Sequence, residues 1–130
     1  MATIFSKIIS GEIPCYKIAE DEMHLAFLDI NPLAKGHTLV IPKFETDNIF
    51  DLSDSDLSSL HLFAKKVATA LQKSIHCKKI GVAIVGLEVA HAHIHLIPIN
   101  KVGDMNFANS KLILSADELM EIQQSIICNL

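Results

Sequence analysis

The sequence predicts an α+β domain: a five-stranded, mostly antiparallel sheet with one long helix packed on it and a second, C-terminal helix. Three observations carry this. Two segments, entered at Ser53 and Ser115, pair helix-start signals with apolar residues at helical spacing. Five short apolar or β-branched runs, several joined by tight turns, lie elsewhere in the chain. No repeat, low-complexity tract or linker interrupts it, so residues 1–130 read as a single domain.

In chain order, residues 3–9 (TIFSKII) form a short apolar segment of about one helical turn, stopped by Ser10, Gly11 and Pro14. Tyr16–Ala19 and His24–Leu28 read as two strands joined at Glu20, Asp21 and Glu22. Asp29 to Gly36 is a loop, because Asn31-Pro32 and Gly36 break regular structure. Thr38–Ile41 is a β-branched strand closed by Pro42. The long helix has Ser53 as N-cap, Asp56 three residues on, and Leu52 with Leu57 as the hydrophobic staple. Leu57, Leu60, Ala64, Val67, Leu71 and Ile75 then form its apolar stripe. Gly81–Val85 and His91–Ile97 are the remaining strands, with a loop at Gly86-Leu87-Glu88 between them. Ser115 and Glu118, flanked by Leu114 and Leu119, start the last helix, which runs to about Cys128.

Composition narrows the classes of function. Half of the 130 residues are hydrophobic, enough for a proper core and incompatible with disorder. A net charge of -4 argues against a broad nucleic-acid-binding surface, though not against one local cationic pocket. No run reaches the roughly 18 apolar residues of a membrane span, and the apolar stretch at the start is too short and broken for a signal peptide. Cys15, Cys77 and Cys128 are odd in number, far apart and outside any CxxC spacing. They read as reduced thiols of a cytoplasmic protein.

Three of the seven histidines sit at positions 91, 93 and 95, with Ala92, Ile94 and Leu96 following them in alternation. On a strand this turns all three imidazoles to one face and the apolar groups to the other, as a row about 14 Å long. A single strand histidine is usually structural; a row of three asks for an anionic ligand, a metal or a reaction. Histidines two apart on a strand can chelate zinc or copper, with Glu88 the only carboxylate close in sequence. Alternatively, one imidazole nitrogen attacks phosphorus while its neighbours fix its tautomer and donate to the phosphate oxygens. His37, between Gly36 and a strand, could reach the same phosphate. His24, His61 and His76 have no such support and read as structural or surface residues.

His91-Ala-His-Ile-His-Leu-Ile97 resembles the signature of the histidine triad (HIT) family, three histidines alternating with apolar residues. Further blocks are similar to its HINT-like, purine nucleoside phosphoramidase-like branch: Ile4 to Pro14, Ala26 to Pro32, and Gly36 to Lys43. The resemblance implies a HIT-like fold and a hydrolase acting at the α-phosphate of purine nucleoside 5′-phosphoramidates or related nucleotide conjugates. In it His93 is the nucleophile that forms a nucleotidyl intermediate, His91 holds the orientation and charge of that ring, and His95 with His37 contacts the phosphate. Asp29 matches the acid that binds the ribose hydroxyls; Ile4, Phe5, Ile8, Phe27 and Ile30 match the apolar base pocket. The implied partner is a small-molecule purine nucleotide, with no metal, no cofactor, no nucleic acid and no membrane. A homodimer with its two sheets joined edge to edge is also implied. Two other activities fit the same residues: a dinucleoside polyphosphate hydrolase, and a nucleotide-binding or metal-binding protein with little catalysis. The chain departs from the branch just before the triad. Leu87 stands where a glutamine is expected, no asparagine is in reach, and the usual C-terminal tryptophan is absent. Glu88 aligns near a serine or glutamate position that could support the site. The segment after Asn100 matches weakly, so no leaving-group pocket transfers from it.

Overall fold

In the computed structural model, which describes residues 2–130, five strands form one sheet in the order β1-β2-β3-β5-β4. They are β1 (Lys17–Glu20), β2 (His24–Leu28), β3 (Thr38–Pro42), β4 (Lys79–Ala83) and β5 (Ile94–Ile99), and every neighbouring pair is antiparallel. Helices α1 (Ile4–Ser10), α2 (Asp54–Ser74) and α3 (Ala116–Cys128) complete the fold, with short 3₁₀ turns at Ile49–Asp51 and Val102–Met105. The expected α+β architecture is the observed one.

Both faces of the sheet are covered, and side-chain alternation decides what lies on each. Ala26, Leu28, Val40, Ile94 and Leu96 turn to one face and pack with Leu60, Val67 and Leu71 of α2 and Ile126 of α3. Leu25, Phe27, Leu39 and Ile41 turn to the other and pack with Phe5 of α1. Burying a Val, Leu, Ile or Phe side chain contributes about 1.5–3 kcal/mol, so the helix-side cluster supplies most of the driving force. The opposite face is only partly filled, which leaves room there for a cavity.

The helix starts follow the local chemistry read above. Ser53 Oγ accepts the Asp56 N–H at 3.1 Å. Ser115 and Glu118 cap each other, the Ser115 hydroxyl accepting the Glu118 N–H at 3.1 Å and the Glu118 carboxylate accepting the Ser115 N–H at 3.2 Å. Residues 4–10 make two helical turns rather than one, because Thr3 and Ser6 form a reciprocal cap and Gly11 ends the helix in the left-handed region at φ 86°. That short helix is what carries Phe5 onto the sheet.

Two strand assignments need correction. The strand expected over 81–85 lies at Lys79–Ala83, because its ladder is set by pairing with β5, Lys79 opposite Ile99 and Ala83 opposite His95. The strand expected over 91–97 begins only at Ile94 and continues to Ile99. His91, Ala92 and His93 precede it, held by bonds outside the ladder: the Ala92 N–H donates to the Thr46 carbonyl at 2.6 Å and the His91 N–H to the Val89 carbonyl at 2.8 Å. The loop between β4 and β5 therefore runs over residues 84–93, longer than the three residues expected. The three cysteines are free thiols. Among the described residues, no helix is long and apolar enough to cross a membrane.

Candidate active site

A cavity of about 370 Å³ opens on the α1 side of the sheet. Phe5, Phe27, Leu39, Asp29, His93 and His95 line it, with Ile4, Ile8 and Ile30 at its apolar edge and Phe107 against the histidines. The sequence-predicted base-pocket residues are thus brought together. Ile4 and Ile30 remain 50% and 60% exposed, whereas Phe5 and Phe27 are buried and meet edge to face with ring centres 5.6 Å apart. The β3–β5 register explains why the polar row sits here: Leu39 opposes His95 on the cavity face, and Val40 opposes Ile94 on the helix face.

The alternation survives the shortened strand, since Ala92, Ile94 and Leu96 all join the helix-side core. The histidines do not form an open row. They curl into a buried cluster, with the rings of His93 and His95 only 4.8 Å apart. His91 is fully buried and does not reach the cavity. His37 is also buried and off the cavity wall, and it meets the cavity through His95, whose Nδ1 lies 3.0 Å from His37 Nε2. His37 is 2% exposed, with the His95 ring at 5.2 Å and Phe107 edge-on at 6.5 Å.

Hydrogen bonds assign a tautomer to each ring. The Leu33 N–H donates to His37 Nδ1 at 3.0 Å, so the His37 proton sits on Nε2. That Nε2–H donates to His95 Nδ1 at 3.0 Å, which leaves the His95 proton on Nε2 as a free donor. His93 Nδ1–H donates to the His91 carbonyl at 2.7 Å, leaving Nε2 with a bare lone pair. His91 Nε2–H donates to the Pro42 carbonyl at 2.8 Å, and His91 Nδ1 has no hydrogen-bond partner among the described residues. One ring therefore presents a bare lone pair and its neighbour a proton, from the same residue type.

Burial disfavours the charged form of His37, His93 and His95. Desolvation, then the positive potential of His95, Lys111 and His93, lowers the His37 pKa to about 3. Desolvation and the neighbouring His93 lower His95 to about 4. His93 is also lowered, chiefly by burial, against the upward pull of its bond to the His91 carbonyl and of Glu88. Burial pushes the Asp29 carboxyl up, and the Asn31 N–H bond at 2.9 Å and Lys111 oppose this. Glu88 lines the cavity but is exposed, and acts on His93 and Asp29 only at a distance.

Asp29, His37 and His95 offer ligand atoms within 4.8 Å of one another, which raises the metal reading again. The tautomers argue against it. A neutral imidazole bound to metal through Nε2 carries its proton on Nδ1, and on His37 that position already faces the Leu33 N–H. Of the three, His37 holds a proton on Nε2 where a metal ligand needs a lone pair.

Two contributors were not legible in the sequence. Phe107, just after the second 3₁₀ turn, places its ring edge-on to His95 at 4.8 Å and to His37 at 6.5 Å. With Phe5 edge-on to His93 at 4.9 Å, it brackets the His93–His95 pair between two apolar rings. Lys111 donates to the Phe107 carbonyl at 2.5 Å and the Asn109 carbonyl at 3.2 Å, which holds its charge near Asp29 and His37.

Known proteins resemble this chain in sequence and in fold. The HIT domain model matches residues 10–102. The chain is 38% identical to an uncharacterized HIT-like protein of Borreliella burgdorferi over 98% of its own length and 97% of that protein's. It is 41% identical to the adenosine 5′-monophosphoramidase hnt1 of Schizosaccharomyces pombe, over 75% of this chain and 74% of the relative. Among solved structures, a Hit-like protein from Bartonella henselae superposes with a TM-score of 0.86 at 32% identity, covering 98% of this chain and 96% of that one. Matched over most of its length by the family model and by these relatives, with the three alternating histidines at its centre, the chain belongs to the HIT domain family.

Proposed function

We propose that this protein is a nucleotide hydrolase that cleaves purine nucleoside 5′-phosphoramidates, or related nucleotide conjugates, at the α-phosphate. The observation that carries this is the bare Nε2 of His93 beside the donor Nε2–H of His95, both on the wall of an apolar cavity of nucleoside size. The name of the fission-yeast relative supports the same reading.

In this reading Phe5, Phe27 and Ile8 hold the base, Ile4 and Ile30 border it, and Asp29 accepts the ribose hydroxyls. His93 Nε2 attacks phosphorus and forms a P–N bond to the ring. The bond from phosphorus to the departing nitrogen breaks, its electron pair stays on that nitrogen, and a proton from solvent completes the amine. The nucleotidyl ring is positively charged, and the His91 carbonyl on Nδ1–H stabilises that charge. His95 Nε2–H donates to a phosphate oxygen, its orientation fixed by His37. Water then attacks phosphorus, releases the nucleoside 5′-monophosphate and a proton, and restores neutral His93.

The whole chain acts as one domain in the cytoplasm, where its three thiols stay reduced. It pairs as a homodimer through β4, the edge strand that exposes Val82 and has a neighbour on one side only. Sedimentation of the protein at micromolar concentration, with Val82→Lys as the disrupting variant, tests the dimer.

The function is tested by assaying His93→Ala and His93→Gly on an adenosine phosphoramidate with EDTA present. Wild type is expected to turn over, and each variant to lose several orders of magnitude. Loss of wild-type activity on chelation, or active variants, rejects the assignment. Rates on diadenosine tetraphosphate, expected to be much lower, separate this activity from polyphosphate hydrolysis.

A further inference from the structure

A second cavity, also of about 370 Å³, adjoins the first; His93, Val85, Gly86 and Leu87 line both. Its own walls are Phe50 and Ile84, with Asp47 the charged side chain among its liners. Phe50 is 83% exposed and Leu87 88%, far more than side chains of this kind need to be in a finished surface. Phe5, Phe27 and Asp29 line only the first cavity, so the nucleoside belongs there.

We infer that the second cavity receives the leaving group and selects an amine with an apolar body, a hydrocarbon chain or an aromatic ring. The inference rests on His93 as the nucleophile. A group bonded to the phosphorus that His93 attacks lies within a few ångströms of His93, and His93 lines both cavities. The loop shared by the two cavities is the wall such a group meets on leaving the first. That loop presents Val85 and Leu87, and Phe50 faces the same space. A hydrocarbon there removes its own surface and theirs from water together. The polar groups do not suit an anion. Asn48 spends its side-chain oxygen on the Phe50 N–H at 3.0 Å, and Asp47 brings a negative charge that repels sulfate or a phosphate chain and favours a departing ammonium.

Two measurements on the full chain test this. The first compares kcat/KM for adenosine 5′-phosphoramidates of ammonia and of hexylamine. The second compares calorimetric binding of the methyl and hexyl esters of adenosine 5′-monophosphate, a readout that needs no turnover. Wild type is expected to favour the hexyl compound by about 10-fold in each, the low end of what added methylenes gain in an apolar pocket. Phe50→Ala and Leu87→Gln, both at exposed positions that should not affect folding, are expected to reduce each ratio to about 3-fold or less. Equal affinity of wild type for the two esters, or a hexyl preference that survives both variants, overturns the inference. So does a variant that leaves the ratios intact and instead weakens self-association, since a second copy would then be what covers Phe50 and Leu87. Wild type that hydrolyses neither phosphoramidate yet binds the hexyl ester more tightly rejects the proposed reaction and keeps the apolar subsite.

Discussion

Acidification should destabilise this fold through His37 and His95, by an amount that follows from their burial. An imidazole in the unfolded chain takes up its proton near pH 6.5, whereas His95 in the folded chain does so at about 4 and His37 at about 3. Below 6.5 the unfolded state therefore binds protons that the folded state refuses. Stability falls as pH falls, and keeps falling until the folded values are reached. At pH 5 both folded rings are still neutral, and each costs about 2 kcal/mol relative to pH 7.5, about 4 kcal/mol for the pair. That is a large part of the 5–15 kcal/mol that typically separates folded from unfolded chains. His93, lowered in the same direction, adds to the effect. Urea unfolding at pH 7.5 and pH 5.0 measures it, and the variants His37→Gln and His95→Gln isolate the source. Each variant changes overall stability, but the difference between the two pH values should shrink by about 2 kcal/mol per histidine removed. A pH difference that is the same in wild type and in the double variant would falsify the reasoning, because no dry, neutral pair would then exist.

Three further outcomes follow from single positions. Gly36 has φ +91°, and a Cβ there would lie 2.9 Å from both Ile75 Cγ1 and Leu71 Cδ1, so Gly36→Ala should cost roughly 1–3 kcal/mol, read as a lower Tm. Because His37 is the next residue, the same variant should also slow turnover. Asp29→Asn should weaken adenosine 5′-monophosphate binding by roughly 10-fold or more while leaving the 2′,3′-dideoxy nucleotide nearly unchanged, by calorimetry; equal losses for both would remove the ribose role. Phe107→Ala should admit water to His95, raise its depressed pKa toward 6.5 and move the acid limb of the pH–rate profile upward, with Phe107→Leu restoring most of the original profile.

Local signals were readable in the sequence wherever the cause is local. Ser53 and Ser115 begin helices because a hydroxyl two or three residues from an orphan amide satisfies it whatever surrounds it. Alternation at 91–96 sorted histidines from apolar groups correctly, because extended chain alternates whether or not a ladder forms. It misplaced the start of β5, because the Thr46 carbonyl that holds Ala92 comes from a distant loop. The split of roles among identical residues could not be read from their spacing. His37 is a donor to His95 because the Leu33 amide occupies its other nitrogen, a contact made by the turn through Ala34 and Gly36. Phe107 carries no periodicity and reaches His95 only through the bend of chain after β5.

The attachment of residues 91–93 has a consequence for how this site can diversify. Upstream, β4 ends at Ala83 in register with His95; downstream, His91 and Ala92 are fastened to the Pro42 and Thr46 carbonyls. The chain from 84 to 88 hangs between fixed points, since Val89 is itself tied to His91 through its carbonyl. Residues can be exchanged, inserted or deleted there while His93 Nε2 stays in place. Under the proposed reaction, such a protein can acquire a new leaving group by replacing one surface loop, with the chemistry at phosphorus unchanged.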